Sequence, residues 1–301
     1  MSNNISLKQL RVFVGITQHR TLTTAAESMF LSKAAVSMAL SELEKQLGNP
    51  LFDRVNHRLI LNQEGKKLLP LADEILNRAS NITALFDQNS PAVGTLKIGA
   101  SDTIGNHLLP AMLSNFRLQH QHYSQQIFIS NSALICQKLL DFELDIALIE
   151  GQAQHKDLIS TVFNQDEMCI IAAPSHPLVQ QDCVNIVDLE NSEWVLRESG
   201  SGSRTFFMHR LAQKIENWQE SFELNTTESL INCVAAGLGF GCLSALAAQY
   251  ALKDGRVNQL KLPATMHRQF WLVLHKDKYQ TPLLQQFINF CHQGNKISSC
   301  N

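Results

Sequence analysis

From residue 94 onward, short apolar runs alternate with longer amphipathic ones: TLKIGA, LLPAMLSNFRLQ, QIFIS, ALICQKLLDF and LDIALIE. After MCIIAAP the alternation resumes through EWVLRE, TFFMHRLAQKI, SFELN, SLINCVAAG, FGCLS and ALAAQYAL. Strands separated by helix-length segments cannot pair through tight turns, so the pattern predicts parallel strands with helices on both faces.

In open sheets of this kind a ligand sits beyond the strand C-termini, where loops enter helix starts. Those junctions hold Ser101, Asp102 and Thr103, then Asn131 and Ser132, then Glu150, then RESGSGSR at 197–204, and Thr227. Hydroxyls placed where helix N-termini aim their N–H groups suit a small anion. The candidate ligand contacts are Ser101, Thr103, Asn131, Ser132, Glu150, Arg197, Ser201, Gly202, Ser203, Arg204 and Thr227. Two alternatives stay open. Asp102 and Glu150 would also select a cationic or hydrogen-bonding group, and Arg197 and Arg204 would also serve by pairing with Glu198 or other local acids.

At 301 residues the chain suits two or three domains rather than one core. Its N-terminus lacks the apolar core of a signal peptide, and nowhere do about 18 apolar residues run together, so a cytoplasmic protein without a membrane segment is expected. The seven cysteines lie far apart with no CxxC pair, which suggests neither a disulfide framework nor a zinc cluster. Net charge is −2, yet residues 1–67 hold nine Lys or Arg against five acids, leaving −6 on the remainder. A basic first segment on an acidic body is the asymmetry of a nucleic-acid-binding head with a different module behind it.

In that first segment Leu7, Leu10, Phe13 and Val14 follow helical spacing, and the hydroxyls of residues 21–24 offer caps for a short second helix. Ser32 caps a third, in which Val36, Leu40, Leu43 and Leu47 form one buried stripe ending at Gly48. Its opposite face carries Ala34, Ser37, Met38, Ser41 and Lys45, with Lys33 at the first turn. Small side chains there let a helix sit deep in a DNA major groove; an ordinary solvated face is the alternative. LFDRVNHRLILNQEGKKLL then predicts strand, Asn-His turn, strand and helix, with Arg54 and Arg58 bracketing the tip as phosphate contacts. The result is a winged helix-turn-helix, and the candidate DNA contacts are Thr23, Ser32, Lys33, Ala34, Ser37, Met38, Ser41, Arg54 and Arg58.

After the wing, Leu68, Ala72, Ile75, Ala79, Ile82 and Phe86 make a heptad seam, which calls for a partner helix or for packing against the chain's own body. Asn89, Ser90, Pro91 and Gly94 supply a hinge.

Taken together, LKQLRVFVGI, TTAAESMFLSKAAVSMALSELEKQLGNPLFDR and LNQEGKKLL resemble the head of the LysR-type transcriptional regulators. The motifs are specific, because AAE, the SxxAVS core, LExxLGxxLFDR and the final EG fall at the family's separations. Lys33 stands where the family often has glutamine and Met38 where it often has a basic residue, so base contacts of relatives are not carried across. ASDTIGN, IEG, LRESGSGSR and GLGFGCLS resemble the YeiE-like branch.

The resemblance implies an α/β multidomain protein with a DNA-binding head at 1–62, a linker dimerisation helix at 63–90 and a periplasmic-binding-protein-like effector domain at 94–301. Lobe I would comprise 94–163 and 270–301, lobe II 166–267, with crossovers near Phe163 to Glu167 and Arg268 to Trp271. It further implies a homodimer or homotetramer on dyad-symmetric, double-stranded promoter DNA, controlled by a small-molecule effector such as an oxyanion, with RNA polymerase as a further partner and no cofactor.

An enzyme would need machinery beside the serine-glycine loop. RESGSGSR is neither GxxxxGK[ST] nor GxGxxG, no GxSxG elbow is present, and the eleven histidines lack HExxH. A sensor is therefore expected rather than a catalyst or metal protein. A transport receptor shares the two-lobed body but needs no basic winged head.

Overall fold

The computed structural model of the chain describes residues 5–19, 21–56, 58–85 and 94–293. Three helices and a hairpin form the head: α1 (Leu7–His19), α2 (Leu22–Ser28), α3 (Lys33–Leu47), β1 (Phe52–Val55) and β2 (Arg58–Leu61). Local chemistry sets their ends. Thr21 accepts from the Thr24 N–H and Ser32 from the Ala35 N–H, satisfying free donors at the starts of α2 and α3. Gly48 closes α3 at φ 73°, which a residue with a Cβ adopts only at a cost. Val36, Leu40 and Leu43 join Leu10, Phe13 and Ile16 of α1 in one core that also takes in Leu51 and Phe52. In the wing Phe52 faces Leu61 and Val55 faces Arg58; the expected turn residue His57 lies outside the described residues.

The heptad seam divides along α4 (Gln63–Leu85). Leu68 and Ala72 pack into the head's own core with Leu69, whereas Ile75 and Ile82 stay 46% and 60% exposed, beside Leu71 at 58%. The first turns of α4 run against α1 and β2, so their apolar face is already covered there. Phe86 and the hinge residues Asn89, Ser90 and Pro91 lie outside the described residues.

The body is one sheet shared by two lobes. Its strands are β3 (Leu96–Ser101), β4 (Gln125–Ser130), β5 (Ile146–Glu150), β6 (Leu158–Ala172), β7 (Glu193–Arg197), β8 (Gln219–Leu224), β9 (Phe240–Ser244), β10 (Asn258–Gln259) and β11 (Met266–His275). They lie in the order β4-β3-β5-β11-β6-β9-β7-β8, with β10 on β6. In lobe I, β3 pairs in parallel with β4 and β5; in lobe II, β7 pairs in parallel with β8 and β9. The long antiparallel pair β6 and β11 runs through both lobes. Its register shifts between Phe270 and Trp271, where Phe163 has no opposed residue. Such an irregularity bends a strand pair, and it falls at the crossover.

Six helices cover the sheet: α5 (Leu109–His120), α6 (Ser132–Leu140), α7 (Gly202–Arg210), α8 (Thr227–Ala235), α9 (Ala245–Lys253) and α10 (Pro282–Gln293). The chain returns to lobe I in α10, whose Phe287 ring lies 5.1 Å from Phe116 of α5. Separate apolar clusters fill the two faces of each lobe, built on Ile98, Phe116 and Phe270 or Ile135 and Val273 in lobe I, and on Trp194 and Phe207 or Val195 and Leu230 in lobe II. No helix among the described residues is long and apolar enough to cross a membrane.

Candidate DNA-reading face and interlobe cleft

On α3 the buried stripe turns Lys33, Ala34, Met38 and Ser41 to the surface, with Ser37 half-buried and Met38 62% exposed. Thr23, Lys33, Arg54 and Arg58 line one hollow of about 280 Å³ between the start of α2, the start of α3 and the wing. None of the three cations has an ion-pair partner among the described residues, so this is a basic concavity of uncompensated charge. Ser32 is committed to capping α3.

In the body, β3, β5 and β7 end at the interlobe cleft and α6, α7 and α8 start there. Two arginines organise it. Arg197, at the end of β7, is 5% exposed. Its Nη1 donates to Asp102 of lobe I at 2.9 Å and to Thr227 at 2.8 Å, its Nε donates to Glu198 at 2.9 Å, and its Nη2 donates to the Asn225 carbonyl at 3.2 Å. Thr227 also donates to Asp102 at 2.5 Å. Burial opposes the charge on Arg197, but Glu198 and Asp102 outweigh it and hold the guanidinium above its ordinary pKa.

Arg268, on β11, forms the second cluster. Its Nη1 donates to Glu150 at 2.9 Å and to Ser203 at 3.2 Å, and its Nη2 donates to Asp166 at 2.5 Å. Glu150 accepts from the Thr103 N–H at 3.0 Å, and Ser132 donates to the Glu150 carbonyl at 3.3 Å. Ser244 donates to Asp166 at 3.0 Å. Burial pushes the Asp166 carboxyl above the ordinary carboxylate range, against the opposing pull of Arg268 and Ser244.

The lobes touch closely here. The Ala133 N–H donates to the Gly200 carbonyl at 3.2 Å, and Asn131, the cap of α6, donates to Glu198 at 3.2 Å. A Cβ on Gly202 would lie 2.4 Å from the Glu150 Cβ, and one on Gly200 would meet Ala133 at 2.8 Å while forcing a side chain to φ 89°. The two glycines of RESGSGSR are therefore required by the approach of lobe I. Two polar atoms in this region are buried without a hydrogen-bond partner among the described residues: Ser101 Oγ and Arg268 Nε. Ser201, at the start of α7, makes no side-chain cap.

Ten of the eleven residues singled out in the sequence thus gather at the cleft. Arg204 does not: its guanidinium turns to Glu220 at 2.6 Å and Glu223 at 3.3 Å on β8 and to the Arg197 carbonyl at 3.0 Å. Arg197 pairs with Glu198, as the alternative reading had it, and also links the lobes through Asp102. Asp166 and Arg268 were missed as site residues; each stands in a polar stretch of its crossover strand, NQDE in β6 and HRQ in β11, where a buried charge does not stand out. Burial pushes the thiol of half-buried Cys136 up to about 11 and that of buried Cys242 up to about 12, which disfavours the reactive thiolate.

A winged DNA-binding head joined to a two-lobed ligand-binding body defines the class of one-component transcription factors. Residues 7–66 match the bacterial regulatory helix-turn-helix model of the lysR family, and residues 89–296 match the LysR substrate binding domain. The chain belongs to the LysR family of transcriptional regulators. It is 34% identical over 293 residues to the uncharacterized HTH-type transcriptional regulator YeiE of Escherichia coli K12, covering 97% of this chain and 99% of that one. A full-length OxyR variant from Pseudomonas aeruginosa shares the fold, with a TM-score of 0.74 and 20% identity over 96% of this chain and 95% of that one. So does the regulatory domain of CcmR from Synechocystis PCC6803, solved in complex with 2-PG, at a TM-score of 0.62 and 20% identity over 67% of this chain and 98% of that one.

Proposed function

We infer that a small polar or anionic metabolite, an oxyanion-bearing one in particular, binds between the two lobes and controls how the protein engages promoter DNA. The observation that carries this is the unmet donor capacity of the cleft: Ser101 Oγ and Arg268 Nε are buried with no partner beside an α7 that lacks a side-chain cap. Buried polar groups are nearly always satisfied. A ligand rich in acceptors would satisfy them. Asp102, Glu150, Asp166 and Glu198 already neutralise Arg197 and Arg268, so recognition would rest on hydrogen bonds more than on net charge. The 2-PG complex of CcmR supports the class of ligand by analogy alone.

The ligand contacts would be Ser101, Thr103, Ser132, Ser201, Ser203 and Thr227. Lys33, Arg54 and Arg58 would hold phosphates, while Ala34, Ser37, Met38 and Ser41 face base edges. Exposed Leu71, Ile75 and Ile82 on α4 would pair two subunits, giving a dimer or tetramer matched to a dyad-symmetric site. RNA polymerase is the further partner such an assembly would address.

A thermal-shift screen of small oxyanions and amino acids at constant ionic strength tests the cleft reading. A stabilising anion should lose its effect in a Ser101→Ala, Ser203→Ala variant that keeps DNA affinity. An undiminished shift in that variant would exclude the cleft.

A further inference from the structure

Lobe I meets the head at a further cluster of buried charge. Lys278 is 7% exposed; its Nζ lies 2.8 Å from Asp145 and 3.0 Å from Asp73 of α4. Asp145, just before β5, is held by the Lys97 N–H at 2.8 Å and returns its own N–H to the Lys97 carbonyl. Beside them Phe142, in the turn after α6, is 4% exposed and belongs to the same apolar core as Leu69 and Ala72 of α4. Its ring lies 4.4 Å from that of His275 and 5.6 Å from Lys278 Nζ. Further along α4, Arg78 stacks over Tyr279 at 4.4 Å.

Two features make this a built contact. Phe142 closes α6 in the left-handed position, at φ 55°, and that turn sets its ring, 4% exposed, into the apolar core of the head. A lysine buried between two aspartates from different modules is costly to strand, because removing a partner leaves uncompensated charge in a dry site. Separating head and body would break the Asp73–Lys278 pair and let water back to both groups.

Three elements connect this contact to the cleft. Helix α6 begins at Ser132 and ends two residues before Phe142. Strand β5 begins after Asp145 and ends at Glu150. Strand β11 carries Arg268 near one end and His275 at the other, and lies against β5 with Phe270 opposite Glu150 and Val273 opposite Ala147. A five-residue strand spans about 17 Å, so cleft and contact are opposite edges of one packed layer.

We propose that Lys278, Asp73 and Phe142 form a latch that seats the winged head on lobe I of its own chain, and that α6, β5 and β11 carry closure of the cleft to it. The latch stands on its own contacts; the transmission rests on the cleft being the regulatory site. A contact that is either made or broken supplies the discrete element that coupling between distant sites requires.

Hydrogen exchange on the full-length chain tests both halves. Asp73→Asn leaves Lys278 paired with Asp145, and Phe142→Ala removes the ring. In each variant amides of residues 66–80 should exchange at least about tenfold faster while β3, β7 and β9 keep their protection. Unchanged α4 exchange in both variants, or a uniform rise across all strands, overturns the latch. For transmission, Asp102→Asn breaks the link to Arg197 across the lobes. It should alter α4 exchange in the native background and not in Asp73→Asn. If it leaves α4 unaltered while Asp73→Asn acts, transmission is overturned and the latch stands; whether a ligand occupies the cleft is decided separately by the thermal shifts.

Discussion

The head and the cleft use cations in opposite ways. Around the hollow beside the wing, Lys33, Arg54 and Arg58 are exposed and have no acidic partner among the described residues. In the cleft, Arg197 and Arg268 are buried and each meets two carboxylates. Uncompensated surface charge attracts a polyanion whatever its sequence, and it does so in proportion to the counterions released. Compensated buried charge attracts little at long range, but it fixes which lobe arrangement is allowed, because any opening must break these pairs and rehydrate or re-pair their members. On the function proposed above, the difference places affinity on the head and control in the body.

The sharpest way to break that contrast is at Arg268. Replacing it with Met fills similar space but leaves Glu150 and Asp166 both buried and unpaired, which should cost about 3–5 kcal/mol of unfolding free energy. The pH dependence has a definite sign. Asp166 already has a raised pKa in the folded protein, from burial. Without Arg268 the Asp166 carboxyl would bind its proton still more tightly folded than unfolded, so the loss should be small below the ordinary carboxylate range and grow as pH rises through the raised value. Urea unfolding at acid and at neutral pH checks this; an equal loss at both would mean that the pair is not what Arg268 stabilises.

At the head, Arg54→Ala or Arg58→Ala should leave unfolding nearly unchanged and weaken binding to any duplex. Each lost phosphate contact should lower the slope of log affinity against log salt by about 0.9. Arg268→Met, measured alongside where it is folded, should keep the native slope. If the cleft variant flattened the slope as much as a wing variant does, the division between affinity and control would fail.

The sequence made the layout visible where chemistry is local. Thr21 and Ser32 cap the helices they precede, and Gly48 ends α3, because those roles depend on neighbours within three or four residues. The clustering of Ser101, Ser132 and Ser203 was legible too, since strand ends and helix starts of a parallel sheet share one edge. What stayed hidden depends on long-range pairing. Arg268 finds Asp166 and Glu150 across separations of 102 and 118 residues, and in sequence its neighbours His267 and Gln269 give no sign that it is buried. Half of the linker seam was hidden likewise, because only the tertiary fold shows that Ala72 is covered by the head and Ile75 is not.

Arg204 supplies the mildest test, because it stands seven residues from Arg197 in the same loop yet behaves like neither group. One turn into α7, its guanidinium points back along the outer edge of lobe II to Glu220 and Glu223, 29% and 49% exposed. Partly solvated pairs of this kind contribute about 0–1 kcal/mol. Arg204→Ala should therefore shift the urea midpoint only slightly, keep the native salt slope on DNA, and leave untouched any thermal shift that the Ser101→Ala, Ser203→Ala variant abolishes. A lost shift in Arg204→Ala would mean that the loop turns this side chain into the cleft when ligand binds, and the compensated cluster at Arg197 would then gain a cation that the closed lobes keep outside.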